Sequence, residues 1–295
     1  MKYRITNFAL ILFAGLSLGL SGCNDSPAEP TNMVDNGSWY VTGFRWAHDG
    51  APYESENLIV YSDAASQEAR RALVEIGEEL LTELKDEFGI TDDIFTFPQG
   101  RDKIHIFTYK NQFPTQWGGW AYYGGLLIYS LDHKERGEAG HTAMHMYAPV
   151  VKHELMHVVE SLIKASGNPN LVDVWLTEGI AEAVSGGTAG GSVTDLARLN
   201  HVKAQWGALN PIAMHVYDYP DHEGVVYNYY YPMFQLASEY LFDPKGHGRA
   251  LPDFRDLLLD VRDGLSFATA FENRFGISLA DYEARFFNLM NDYLK

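Results

Sequence analysis

Between Val150 and Ile163 the chain reads V-V-K-H-E-L-M-H-V-V-E-S-L-I, and no other stretch restricts the fold as much. Val150, Val151, Leu155, Met156, Val158, Val159, Leu162 and Ile163 make a helix that is apolar nearly all round, which suits a buried position. Yet the same helix carries two imidazoles and two carboxylates. Residues four apart lie one above the other on a helix, so His153 and His157 can close on one ion. Glu154, within the H-E-x-x-H spacing, need not be a ligand and can take a proton from water at that ion. The spacing therefore predicts a buried helix, from about Met146 to Ala165, built around a metal site.

A chain of 295 residues can bury a large core, and 46% hydrophobic with 14% aromatic residues indicates a globular protein. The formal charge of −17 argues against a nucleic-acid partner, which calls for a basic face.

The first residues have the pattern of an export signal. Lys2 and Arg4 precede an apolar run from Ile5 to Leu20, followed by small residues. Leu20-Ser21-Gly22-Cys23 resembles a bacterial lipobox, which implies cleavage after residue 22 and lipidation of Cys23. Cys23 is the only cysteine, so an intramolecular disulfide is ruled out. Residues 24–37, rich in Pro, Asn, Asp and Ser, read as part of a flexible tether spanning residues 23–37. The expectation is an acidic domain, residues 38–295, tethered to lipid on the periplasmic or cell-surface face of a membrane in the cell envelope.

Within that domain, residues 38–145 carry the strands: 39–46, 56–62, 103–109 and 125–131, with a helix from Ser66 that Gly89 stops. The stretch 112–124, crowded with aromatics and glycines, reads as a turn with packed rings or as a cleft wall. Residues 146–295 read as helical, with helices at about 174–184, 194–206, 227–242, 252–262, 266–275 and 279–293, separated by Gly and Pro. Strands with one long helix, then helices alone, make an α+β fold with the motif helix at the seam.

A catalytic zinc site usually has three protein ligands and one open position. Glu178 is well placed to be the third: the interval after His157 holds a helix end, a turn and a helix start. Here the likeness becomes specific. H-E-x-x-H followed by Trp175-Leu176-Thr177-Glu178-Gly179-Ile180-Ala181-Glu182 resembles the gluzincin metallopeptidases, particularly the peptidase MA-like group. The resemblance implies a thermolysin-like α+β fold, a Zn2+ cofactor held by His153, His157 and Glu178, and Glu182 orienting His153. It further implies that Tyr231 steadies the oxyanion, with Tyr229 and Tyr230 as alternatives, because Tyr240-Leu241 aligns with the family's Tyr-Leu. Phe234 departs from the small residue of that pattern. The strand 125–131 would be the edge on which an extended peptide or protein substrate pairs. Glu160, three residues beyond His157, reads first as a salt-bridge partner and second as a weaker candidate than Glu182 for orienting a ligating imidazole, and His141 and His145, again four apart, as surface or loop residues before the motif helix or a second metal pair.

These expectations converge on a lipid-anchored zinc metallopeptidase. Two other readings fit the same residues: a surface-tethered zinc-containing binding protein without catalysis, and a zinc hydrolase of a non-peptide cell-envelope amide.

Overall fold

A computed structural model describes residues 38–41, 44–47, 52–62, 67–109, 119–129, 141–168, 171–186, 212, 230–244 and 246–293. The expected export signal, Cys23, the expected tether, Tyr229 and the expected helix at 194–206 lie outside them. A small hairpin pairs β1 (Ser38–Val41) with β2 (Phe44–Ala47). A second, five-stranded sheet has the order β3-β4-β5-β7-β6 and is formed by Tyr53–Glu54, Leu58–Ser62, Ile104–Tyr109, Gly125–Tyr129 and Gly119–Tyr122 respectively. It is mixed: β4, β5 and β7 run parallel, while β3 and β6 lie antiparallel on the two edges.

The parallel centre follows from the connection between β4 and β5, helix α1 (Gln67–Phe88), since parallel neighbours need a long crossover. Its apolar stripe, with Leu73, Leu80, Leu81, Leu84 and Phe88 buried, covers one face of the sheet. Gly89, at φ 62°, ends it in the left-handed region as expected of a helix stop. Strand β6 falls within the aromatic and glycine-rich stretch, so part of what reads as a turn is a strand. It doubles back through Tyr123 and Gly124 into β7, with Gly119 opposite Ile128 and Tyr122 opposite Gly125. Consequently the strand at 125–129 is not an edge. It lies between β5 and β6, and β6 is the border strand on that side among the described residues.

Six further helices follow: α2 (His141–Lys164), α3 (Val174–Ser185), α4 (Tyr231–Phe242), α5 (Leu251–Arg262), α6 (Phe267–Phe275) and α7 (Leu279–Tyr293). The fold is α+β and mostly helical, with α2 at the seam, packed on β6 and β7 on one side and on α1, α3 and α5 on others. That is why it is apolar all round: Val151, Leu155, Met156, Val158, Val159, Leu162 and Ile163 are each 1% exposed or less. Helix α2 begins at His141, earlier than the sequence suggests. Pro149 therefore stands inside it, where it has no N–H for the carbonyl of His145. Of the expected helix at 227–242 the described part is Tyr231–Phe242, with Pro232 in its first turn, and residues 227–229 lie outside the described residues.

The C-terminal helices buttress this core through rings. Trp175, fully buried at the start of α3, stacks on Tyr282 of α7 at 5.6 Å and meets Phe271 of α6 edge-on at 6.1 Å. The Tyr282 hydroxyl donates to the Ala237 carbonyl of α4. Helices α3 and α4 approach closely at Gly179, where any Cβ would collide with the Phe234 carbonyl and the Ser238 hydroxyl. No described helix is long and apolar enough to cross a membrane.

Two outcomes follow from this packing. Gly179→Ala should lower stability by about 1–3 kcal/mol in chemical unfolding, because the clash is with backbone that cannot rotate away. His105, in β5 between Tyr61 and Phe107, is held neutral: burial, then the Arg101 charge, push its pKa down to about 3. In the unfolded chain it takes a proton near pH 6.5, so between those values the unfolded state binds more protons and stability falls as pH falls. Urea unfolding at neutral and mildly acidic pH should show a smaller acid loss in His105→Phe than in the unaltered chain.

Candidate metal centre

The seam between α2 and α3 gathers the chain's motif residues. His153 and His157 stand one turn apart on α2, and Glu178 and Glu182 one turn apart on α3, so the two helices present one pair each across their contact. The Nε2 atoms of the two imidazoles lie 3.1 Å apart, and Glu178 Oε2 lies 3.4 Å from one and 3.3 Å from the other. His153, His157 and Glu178 thus form a buried group that could hold a metal ion.

The triangle fits an ion in size. With ligands about 2.0–2.1 Å from a tetrahedral centre, neighbouring ligand atoms stand about 3.3 Å apart, the separation these three atoms already show. Three donors fill one face of such a tetrahedron and leave the fourth corner open. Charge argues the same way. Glu154, Glu160, Glu178 and Glu182 are 8%, 5%, 2% and 1% exposed, and buried carboxylates demand positive charge nearby.

Without an ion, the imidazoles supply it. Burial alone would lower the His157 pKa, but the Glu178 charge and Glu160 outweigh it and raise it to about 9. His153 is raised well above its ordinary value, its burial outweighed by Glu178 and Glu182. Glu178 is held far below the usual carboxylate range by His157 and His153, against its burial. The site attracts cations, whether protons or a metal.

Glu182 Oε1 lies 3.1 Å from His153 Nδ1. It accepts the Nδ1 proton and so fixes the ring with Nε2 facing Glu178 and His157, which is how ligating histidines are commonly held. Glu154 is the buried carboxylate nearest in sequence to both imidazoles. Burial lifts its pKa to about 6, with the imidazoles pulling down and Glu178 and Glu182 pushing up. A carboxyl poised there can both take and return a proton near neutral pH.

The stretch 112–124, one reading of which is a cleft wall, supplies what lies over Glu154. On edge strand β6, a Cβ added at Gly119 would stand 2.6 Å from Glu154 Cγ and 2.9 Å from its Oε1. The strand backbone therefore walls the carboxylate on one side. Only the pairing of β6 with β7 across the sheet brings these two residues together, and no local pattern encodes that.

The tyrosines separate by exposure. Tyr230 is fully buried and stacked on Phe234 at 5.9 Å, with burial pushing its hydroxyl up to about 12. Tyr231, the first residue of α4, is only partly buried, its ring edge-on to Phe234. One turn on, the Phe234 carbonyl rests on Gly179, next to Glu178, so the first turn of α4 abuts the ligand-bearing turn of α3. Glu160 does pair with a lysine, Lys164, and both are buried. His141 and His145 lie in the first turns of α2 and not before it, with side chains outside the described residues.

The unaltered chain should retain about one metal ion after removal of free metal, and Glu178→Ala should retain far less than one. Metal analysis of both, after loading with excess ion, measures this directly. No protein-family model matches the chain and no curated protein matches it in sequence, so the functional reading rests on these side chains and their distances.

Proposed function

We propose that the chain is a zinc-dependent peptidase of the gluzincin kind, with a thermolysin-like arrangement of sheet and helices, carried on a lipid-anchored bacterial envelope protein. One observation carries the reading: Glu154 is buried and walled by β6, beside three described donors spaced for a tetrahedral ion. A purely structural site closes all four positions and has no use for such a carboxylate.

His153, His157 and Glu178 would hold the zinc, and Glu182 fixes the His153 ring. When bound, the ion supplies Lewis acidity, polarising a scissile carbonyl and making water acidic enough to give up a proton near neutral pH. Glu154 takes that proton and returns it to the leaving amine, which its raised pKa suits. Tyr231 is the better placed of the two described tyrosines to donate to the oxyanion, because its partial exposure lets substrate reach it whereas Tyr230 is enclosed. An extended peptide would add to the sheet along β6, which among the described strands is the border that passes over Glu154.

The test is a peptide-library digest with the full chain in detergent, zinc content measured alongside. Glu154→Gln should keep its zinc and lose about 10²–10⁴-fold in kcat. Full hydrolysis by a zinc-loaded Glu154→Gln would overturn the mechanism. Bound zinc without cleavage of any peptide would favour the binding-protein reading, and cleavage confined to non-peptide envelope amides would favour the third.

A further inference from the structure

If the site holds a metal, its two imidazoles have the same need. Each turns Nε2 inward, and each is left with a buried Nδ1 facing away from the ion, which a buried polar group does not tolerate without a partner. For His153 the partner comes from the neighbouring helix, as Glu182. For His157 it comes from the same helix: Glu160 Oε2 stands 3.8 Å from His157 Nδ1. That distance is an ion-pair contact, longer than a hydrogen bond.

Glu160 is itself anchored. Its other oxygen, Oε1, accepts from Lys164 Nζ at 2.7 Å, and the lysine is as buried as the glutamate, each at 5% exposure. His157, Glu160 and Lys164 thus form a row along one side of α2 at spacings of three and four, the intervals that bring helical side chains into contact.

We propose that Glu160, anchored by Lys164, is a positioning residue for His157, holding the ring and raising its basicity toward the metal as Glu182 does for His153. This rests on the metal reading above. The alternative, that the pair only ties α2 to itself, leaves its burial unexplained. An i,i+4 pair forms equally well in water, and burying it costs more in desolvation than the pairing commonly returns. Lys164 does two things here. It occupies Oε1, so that Oε2 is the oxygen turned to the ring. It also cancels the Glu160 charge, so that Glu160 adds no further net negative charge next to Glu154, Glu178 and Glu182. Because the Glu160 contact is longer than the Glu182 contact, its effect is the smaller of the two.

The experiment measures zinc affinity by competition with a chromophoric chelator, using the full chain in detergent, next to thermal unfolding of the metal-free protein. Glu160→Gln keeps the shape and removes the charge, but leaves Lys164 buried and alone. Glu160→Gln combined with Lys164→Met removes both charges at nearly constant volume and should be at least as stable as the unaltered chain. Both should bind zinc about 10-fold more weakly or worse, with Glu182→Gln weaker still. A double variant that matches the unaltered chain in zinc affinity overturns the proposal while leaving the metal site standing. An unaltered chain that binds no zinc overturns both. A readout that needs no variant is the nitrogen-15 spectrum of the zinc-loaded chain. The His157 Nδ1 proton should be slow to exchange, like that of His153, and fast exchange counts against the proposal.

Discussion

Everything at the seam depends on one electrostatic constraint: four carboxylates less than a tenth exposed must be neutralised where water cannot do it. One of them, Glu160, has its own lysine. The other three crowd two imidazoles, and protons or an ion there would offset their charge. The imidazoles are therefore drawn to high pKa when no ion is bound, and the same field that protonates them would bind a metal in the protons' place. Stability and function share one charge arrangement here.

The surrounding packing holds that arrangement still. Two buried carboxylates would draw α2 toward water, and it stays buried because its remaining faces are apolar and covered by the sheet, α1, α3 and α5. Each such side chain contributes about 1.5–3 kcal/mol on burial, so the apolar contacts of α2 together outweigh several kcal/mol spent on desolvating charge. Helix α3 is fixed at both ends of its ligand turn, by the Trp175 ring stack before Glu178 and by the close approach to α4 at Gly179 after it. The ligand atoms can hold their spacing without an ion because neither helix is free to drift.

How much of this the sequence discloses depends on range. His153 with His157, Glu178 with Glu182, and Glu160 with Lys164 are all legible, because helix periodicity converts spacing into direction. The α+β class is legible for the same reason. What stays hidden is set by contacts between distant segments. Periodicity marks 125–129 as a strand but not its place inside the sheet, and a run of glycines and aromatics does not announce β6. Pro149 misleads about where α2 starts, since proline usually sits in a first turn and here the helix continues past it to His141. The burial of Lys164 is equally invisible, for a lysine next to a glutamate one turn away is ordinarily a solvated pair.

The hairpin that carries Gly119 has a consequence for how the site could change over time. Side chains alternate across a strand, so a slip of one residue in the pairing of β6 with β7 would turn Gly119 away from Glu154, where only a residue without Cβ leaves room for the carboxylate. The turn at Tyr123 and Gly124 sets that register. Insertions or deletions there would disturb the wall over Glu154 without altering His153, His157 or Glu178. Loop length at the sheet border thus constrains the chemistry open to the helix seam.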